Sequence, residues 1–195
     1  MAAKENGLTA APFQGDGMSK RERGFTLLEL LIVVGIILLI VAIAIPNFLH
    51  SRMASNESSA VAALRTISSA QTSYNWTWSN GFAADLALLG GPAGAAANCN
   101  NAEVLDPTLS SSNASVKSGY TFTAGPGVVQ VAPPQGCGQP GYSDGYTIIA
   151  WPTNVGITGQ RSFCADNSGT IQYLVTGVRP APAPPLCAGM TAELQ

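Results

Sequence analysis

Residues 25 to 45 form an unbroken apolar run that contains no Lys, Arg, Asp, Asn or Gln, and Glu29 is its only charged residue. The run meets the requirement of about 20 apolar residues for a helix that crosses a bilayer. Past Pro46 the pattern becomes mixed. Val61, Leu64, Ile67, Tyr74 and Trp78 recur at spacings of three and four, interrupted by Gln71. That spacing marks one apolar face of an amphipathic helix. Ser51, Arg52, Ser55, Asn56, Glu57 and Ser58 are assigned to its polar sides. The helix is expected to run to about Trp78 and to stop at Asn80-Gly81. Pro46 lacks an amide donor, so a kink or a local opening is expected there.

Beyond residue 81 the period changes. Phe82 to Pro92 reads as a short helix or turn with a glycine stop, and Ala102–Leu105 as a second short helical stretch before Pro107. Strands are expected over Gly119–Ala124, Val128–Ala132 and Gly145–Pro152. A final hairpin pairs Gln160–Cys164 with Thr170–Leu174 across Asp166-Asn167-Ser168-Gly169. A long helix followed by strands that lie on its amphipathic half is an α+β architecture, an antiparallel sheet packed against the N-terminal helix.

Charge adds direction to this pattern. Lys20, Arg21 and Arg23 stand immediately before the apolar run, and the first base after it is Arg52. The excess of bases on the N-terminal flank keeps that end in the cytoplasm and sends the rest across the membrane. Only 10% of the residues are charged and the formal net charge is −2, which gives no nucleic-acid-binding surface. Glu29, flanked by Leu28 and Leu30, is the anomaly. A charge at the centre of a membrane helix costs about 2.5–3.5 kcal/mol even on lenient scales. A plain single-span anchor does not explain it. A cleaved signal peptide, with Ala42-Ile43-Ala44 as its small-x-small site, would have a shorter core without an acid.

Gly24-Phe25-Thr26-Leu27-Leu28-Glu29, with bases before it and the apolar run after it, resembles the processing site of type IV pilins and of type II secretion pseudopilins. The resemblance implies cleavage between Gly24 and Phe25 by a prepilin peptidase, which then methylates the Phe25 amine. It implies retention of the apolar helix as a filament core. Glu29 would there meet the terminal amine of a neighbouring subunit, and Pro46 stands at the family's position near the end of the run. The family's commoner glycine position is occupied by Leu38, and the glycine here is Gly35, three residues earlier. The implied organisation is a leader over 1–24 (with Met18 as a possible true start), a membrane and filament-core helix over 25–48, its amphipathic half over 49–80, and an exported headpiece over 81–195.

On this resemblance the chain is a structural subunit that forms a homopolymeric helical filament, driven by an inner-membrane assembly platform and its ATPase. It would lie in the bacterial inner membrane as a precursor and outside the cell as a filament. The alternatives are a secretion pseudopilin and a monomeric membrane-anchored binding module. Adhesion, motility, DNA uptake and secretion are not separable at this level.

Cys99, Cys137, Cys164 and Cys187 all fall in the exported part, without the close spacing of zinc or redox motifs. Disulfides are the expectation in an oxidising compartment. Of three connectivities the preferred one is Cys99–Cys137 with Cys164–Cys187, because many type IV pilins close a C-terminal loop, here the Pro-rich stretch Arg179–Pro185, in this way. Asp144 and Asp166, in Gly-containing turns, are read as solvated and not as the calcium ligands of some pseudopilin headpieces. Tyr120, Tyr142, Tyr146, Trp151 and Tyr173 are read as sheet packing in preference to a carbohydrate- or DNA-binding strip. The only histidine, His50, stands beside the membrane segment, so no catalytic arrangement, metal site or cofactor is expected.

Overall fold

A computed structural model describes residues 24–78, 81–91, 94, 96–127, 144–180, 187, 190 and 192–194. Residues 1–23, the expected strand Val128–Ala132, Cys137 and Tyr142 lie outside the described residues. The chain divides into two units, Met1–Ala42 and Ile43–Gln195.

Helix α1 spans Leu27–Trp78. It runs unbroken through Pro46, so of the kink or local opening expected there, the opening does not occur. Proline deprives only the Ala42 carbonyl of its donor. The turns on either side keep their bonds, and the helix continues. Two four-residue helices follow, α2 (Leu86–Leu89) and α3 (Pro107–Ser110). Asp85 caps α2 by accepting from the Leu88 amide at 3.0 Å. The second short helix is thus not Ala102–Leu105. Pro107 starts a helix instead of ending one, because its missing amide is tolerated in the first turn. Asp106 caps it, accepting from the Thr108 amide at 2.6 Å. Hydrogen bonds from the Thr108 hydroxyl and amide hold the Asp106 carboxyl below its ordinary pKa.

Among the described residues the sheet has six antiparallel strands in chain order. They are β1 (Ser115–Lys117), β2 (Tyr120–Pro126), β3 (Tyr146–Pro152), β4 (Ser162–Asp166), β5 (Ile171–Leu174) and β6 (Ala192–Leu194). The last hairpin is in the register Phe163↔Tyr173 and Ala165↔Ile171. Side-chain alternation sorts the strands' two faces. Tyr120, Phe122, Ala124, Ile148, Ala150, Phe163 and Ala165 join one core with Ala60, Leu64, Ile67 and Tyr74 of α1. Ile149 and Cys164 face the other way and meet Cys187, with Trp151 and Met190 at their margin. Val61 and Trp78 are only partly buried, at the edge of the α1 core. Burial raises the Tyr120 hydroxyl far above its ordinary range; the Glu57 charge adds to the shift and Arg161 opposes it.

Two polar side chains of α1 belong to the buried face. Met53, Glu57, Ala60, Leu64, Ile67, Gln71 and Tyr74 are all buried, at alternating spacings of four and three. Glu57 had been assigned to a polar side, but it lies on the core stripe. Its Oε1 accepts from the amides of Gln160 (2.9 Å) and Arg161 (3.2 Å), and its Oε2 from Arg161 Nε (2.8 Å), with Arg161 Nη2 at 2.6 Å. Gln71 pairs with both backbone groups of Ala83, as acceptor from its N–H (2.9 Å) and donor to its carbonyl (3.0 Å). Each side chain replaces water for main-chain groups that the sheet leaves unmatched, which is why neither faces solvent. Glu57→Ala is therefore expected to lower stability by about 2–4 kcal/mol, below the full penalty of a broken buried pair. Arg161, with its side chain 40% exposed, can rehydrate. Denaturant unfolding checks this, and a loss under about 1 kcal/mol would show that the carboxylate contributes little more than a surface pair.

Cys164 and Cys187 are bridged, with Cα atoms 5.7 Å apart. The bridge ties the chain beyond β5 back to β4 and covers the sheet face opposite α1. Cys187→Ser should destabilise the C-terminal unit by about 2–5 kcal/mol. Thermal unfolding of variant and parent checks it, and equal midpoints would sink it. Cys99 is buried and disulfide-bonded, and its carbonyl accepts from the Tyr74 hydroxyl at 2.7 Å.

Candidate functional site

The junction Gly24-Phe25 lies just ahead of α1, and its geometry follows from Thr26. The Thr26 hydroxyl accepts from the Glu29 amide at 3.1 Å, and the Thr26 carbonyl from the Leu30 amide at 3.2 Å. Thr26 is thus the N-cap, and Thr26-Leu27-Leu28-Glu29 has the Thr-x-x-Glu form of a capping box. Glu29 is the third helical residue, inside the first turn. Glu29 is thus not the central charge of a membrane helix on which its cost was reckoned. The unpaired N–H groups of a first turn favour a negative charge by about 0.3–1 kcal/mol. The acid has a local reason for its place, which offsets part of its insertion penalty and leaves the rest.

Among the described residues nothing requires a glycine at 24. Nothing lies within 4 Å of the position a Cβ would take, and the same holds for Gly35. If a glycine is required at 24, a partner outside the chain imposes that requirement. Phe25 is 83% exposed, and every residue from 24 to 52 is exposed, including all the Leu, Ile and Val side chains of the apolar run. Soluble proteins rarely leave contiguous apolar patches above a few hundred Å² in water. Lipid or other chains must cover this helix. Among the described residues it is the one helix long and apolar enough to cross a membrane.

The other candidates scatter. His50 is exposed on α1. Among the described residues no group of three or more His, Cys, Asp or Glu could hold a metal ion. Asp166 is buried and accepts from the Ser168 amide at 2.9 Å, closing its own turn. Tyr120 and Tyr146 are core residues. Tyr120 donates to the Arg161 carbonyl at 2.9 Å, and Phe82 meets the Tyr146 ring edge-on at 5.0 Å. Trp151 and Tyr173 are half-buried, each under a guanidinium: Arg179 at 4.9 Å and Arg161 at 5.3 Å.

Comparison with known proteins agrees with the N-terminal pattern. Residues 19–45 match the family model described as the prokaryotic N-terminal methylation motif. The chain is 50% identical over 54 residues to the type IV major pilin protein PilA of Myxococcus xanthus (strain DK1622). That match covers 28% of this chain and spans about a quarter, 24%, of that pilin. No solved structure gives a significant match.

Proposed function

We propose that the chain is a structural subunit of a pilus-like surface filament, a reading supported by its likeness over residues 19–45 to the prokaryotic N-terminal methylation motif and over 54 residues to a type IV major pilin. A prepilin peptidase cuts between Gly24 and Phe25 and methylates the Phe25 amine. The subunit waits in the membrane on its apolar helix, and assembly transfers that helix from lipid to a core of like helices. Glu29 then takes up the Phe25 amine of a neighbouring subunit. A buried charge is tolerable when paired and costly when alone, so a subunit docked out of register leaves two charges uncompensated. Pro46 lies near the end of the segment that packs.

The observation that supports this reading best is the exposed apolar face of residues 25–49, which none of the described residues covers. Deleting the gene and imaging the cell surface tests it. Loss of a filament class, restored by the parent gene, is the expected result. Unchanged filaments in the deletion strain would favour a membrane-anchored monomer.

A further inference from the structure

We propose that the end of the C-terminal unit where α1 enters it is a lipid-facing surface, by which the unassembled subunit rests on an anionic bilayer. This rests on the reading above that α1 spans a membrane before assembly.

The meander places alternate turns at the same end of the sheet. The turn between β1 and β2, the loop between β3 and β4, and the exit from β5 therefore lie together. Their bonds fix which end that is. Asn56 of α1 donates to the Thr158 carbonyl at 2.9 Å, and the Ser59 hydroxyl donates to that of Ser118 at 2.9 Å. The opposite end of α1 holds Ala83 and Cys99, through Gln71 and Tyr74. The burial of α1 begins at Met53, so these turns sit where the helix first meets the sheet.

This end is apolar and basic. Val155 (55%), Ile157 (69%), Val175 (65%) and Val178 (60%) are large apolar side chains left exposed there. Val155 Cγ1 lies 3.1 Å from where a Cβ on Gly177 would stand, and Ser162 donates to the Val178 carbonyl at 2.6 Å. The β3–β4 loop and the β5 exit are thus in contact, and their apolar side chains belong to one region. Residues 117–119, 153–161 and 175–179 contain no acid. Arg52, just ahead of the first buried position of α1, and Arg179, which follows Val178, are exposed, and Glu57 is already taken by Arg161. Exposed aliphatics among exposed bases are what an anionic lipid surface selects.

Position along the helix agrees. Ile43, Ile45, Phe48 and Leu49 are exposed apolar residues of the same unit, ahead of Met53. Asn56 lies seven residues past Leu49, about 10 Å along the axis, so the turns bonded to it stand a few ångströms beyond the outer limit of a headgroup layer roughly 5–8 Å deep that begins at Leu49, within reach of the long side chains they carry.

The test uses the full chain reconstituted into phosphatidylcholine vesicles with and without phosphatidylglycerol. Among the described residues there is no free cysteine, so single-cysteine variants can be labelled selectively. An environment-sensitive fluorophore is placed at Ile157→Cys, and a control at Ser168→Cys in the exposed turn at the opposite end. A lipid-borne quencher is expected to quench the first and spare the second. The quenching should fall without phosphatidylglycerol, and in Arg52→Gln and Arg179→Gln by roughly fivefold each in the docked-to-free ratio. Equal, weak quenching at both positions overturns the inference. So does shielding at 157 that grows with subunit density and not with anionic lipid, since a second copy would then be the occupant. If alkaline washing strips the chain from the vesicles, the membrane-anchor reading fails and this inference fails with it. A retained but unquenched chain overturns this inference alone.

Discussion

Replacing Gly24 with leucine is expected to leave the precursor almost entirely uncut in the membrane, with no surface filament. The chain itself gives no reason for such an effect. A side chain at 24 meets nothing within 4 Å, and no strained backbone conformation there calls for glycine. Helix α1 begins only at Leu27, capped by Thr26, and would start in the same way. The whole effect would then come from the peptidase, whose active site must bring its reacting groups close to the Gly24 carbonyl. Small misplacements at a reacting centre cost orders of magnitude in rate. The readout is the ratio of uncut to mature chain on a gel, together with the level of total chain. Normal maturation of Gly24→Leu would remove the glycine from the processing site.

The second large effect concerns Glu29. Glu29→Ala is expected to give a stable, membrane-inserted and correctly cut chain that fails to polymerise. Insertion should not suffer, because the substitution removes a charge from an apolar helix, and the Thr26 cap remains through its bond from the backbone amide at 29. Docking should suffer, because the Phe25 amine of each incoming subunit would be buried without its partner. Breaking a buried pair costs about 3–5 kcal/mol, which is roughly a hundred- to a few-thousandfold per docking step. Glu29→Asp should be intermediate, since it keeps the charge but misplaces it. Filament mass relative to cell-associated subunit is the measurement. Normal filaments from a cut Glu29→Ala chain would show that the carboxylate's role ends with the first turn of α1.

Where periodicity is strong, sequence and structure agree. The long helix ends at Trp78, β2 and β3 lie within a residue or two of the expected spans, and the last hairpin has its turn over 167–170. These elements carry long apolar patterns that few other conformations could bury. Strands β1 and β6 were missed because three residues cannot display a period of two. The shift from Ala102–Leu105 to Pro107–Ser110 came from reading proline as a stop, when Asp106 ahead of it made it a start. Glu57 and Gln71 were missed, or treated as interruptions, because polar residues were assigned outward by type. Their spacing from Met53 and Leu64 already placed them inward. At the junction, the motif Gly24 to Glu29 was plain in the sequence. The helix start was not read there, although Thr26-x-x-Glu29 has the form of a capping box, because the motif was taken for its processing chemistry and not for its cap. Only the bond to Thr26 shows that Glu29 lies in a first turn.

The most direct test is the mass of the dominant subunit in filaments sheared from the cell surface. The account predicts a chain that begins at Phe25, retains the whole apolar helix, and carries one methyl group on its terminal amine. A filament subunit of another sequence would contradict it, and so would a mature chain beginning at Ile45 with the apolar run removed.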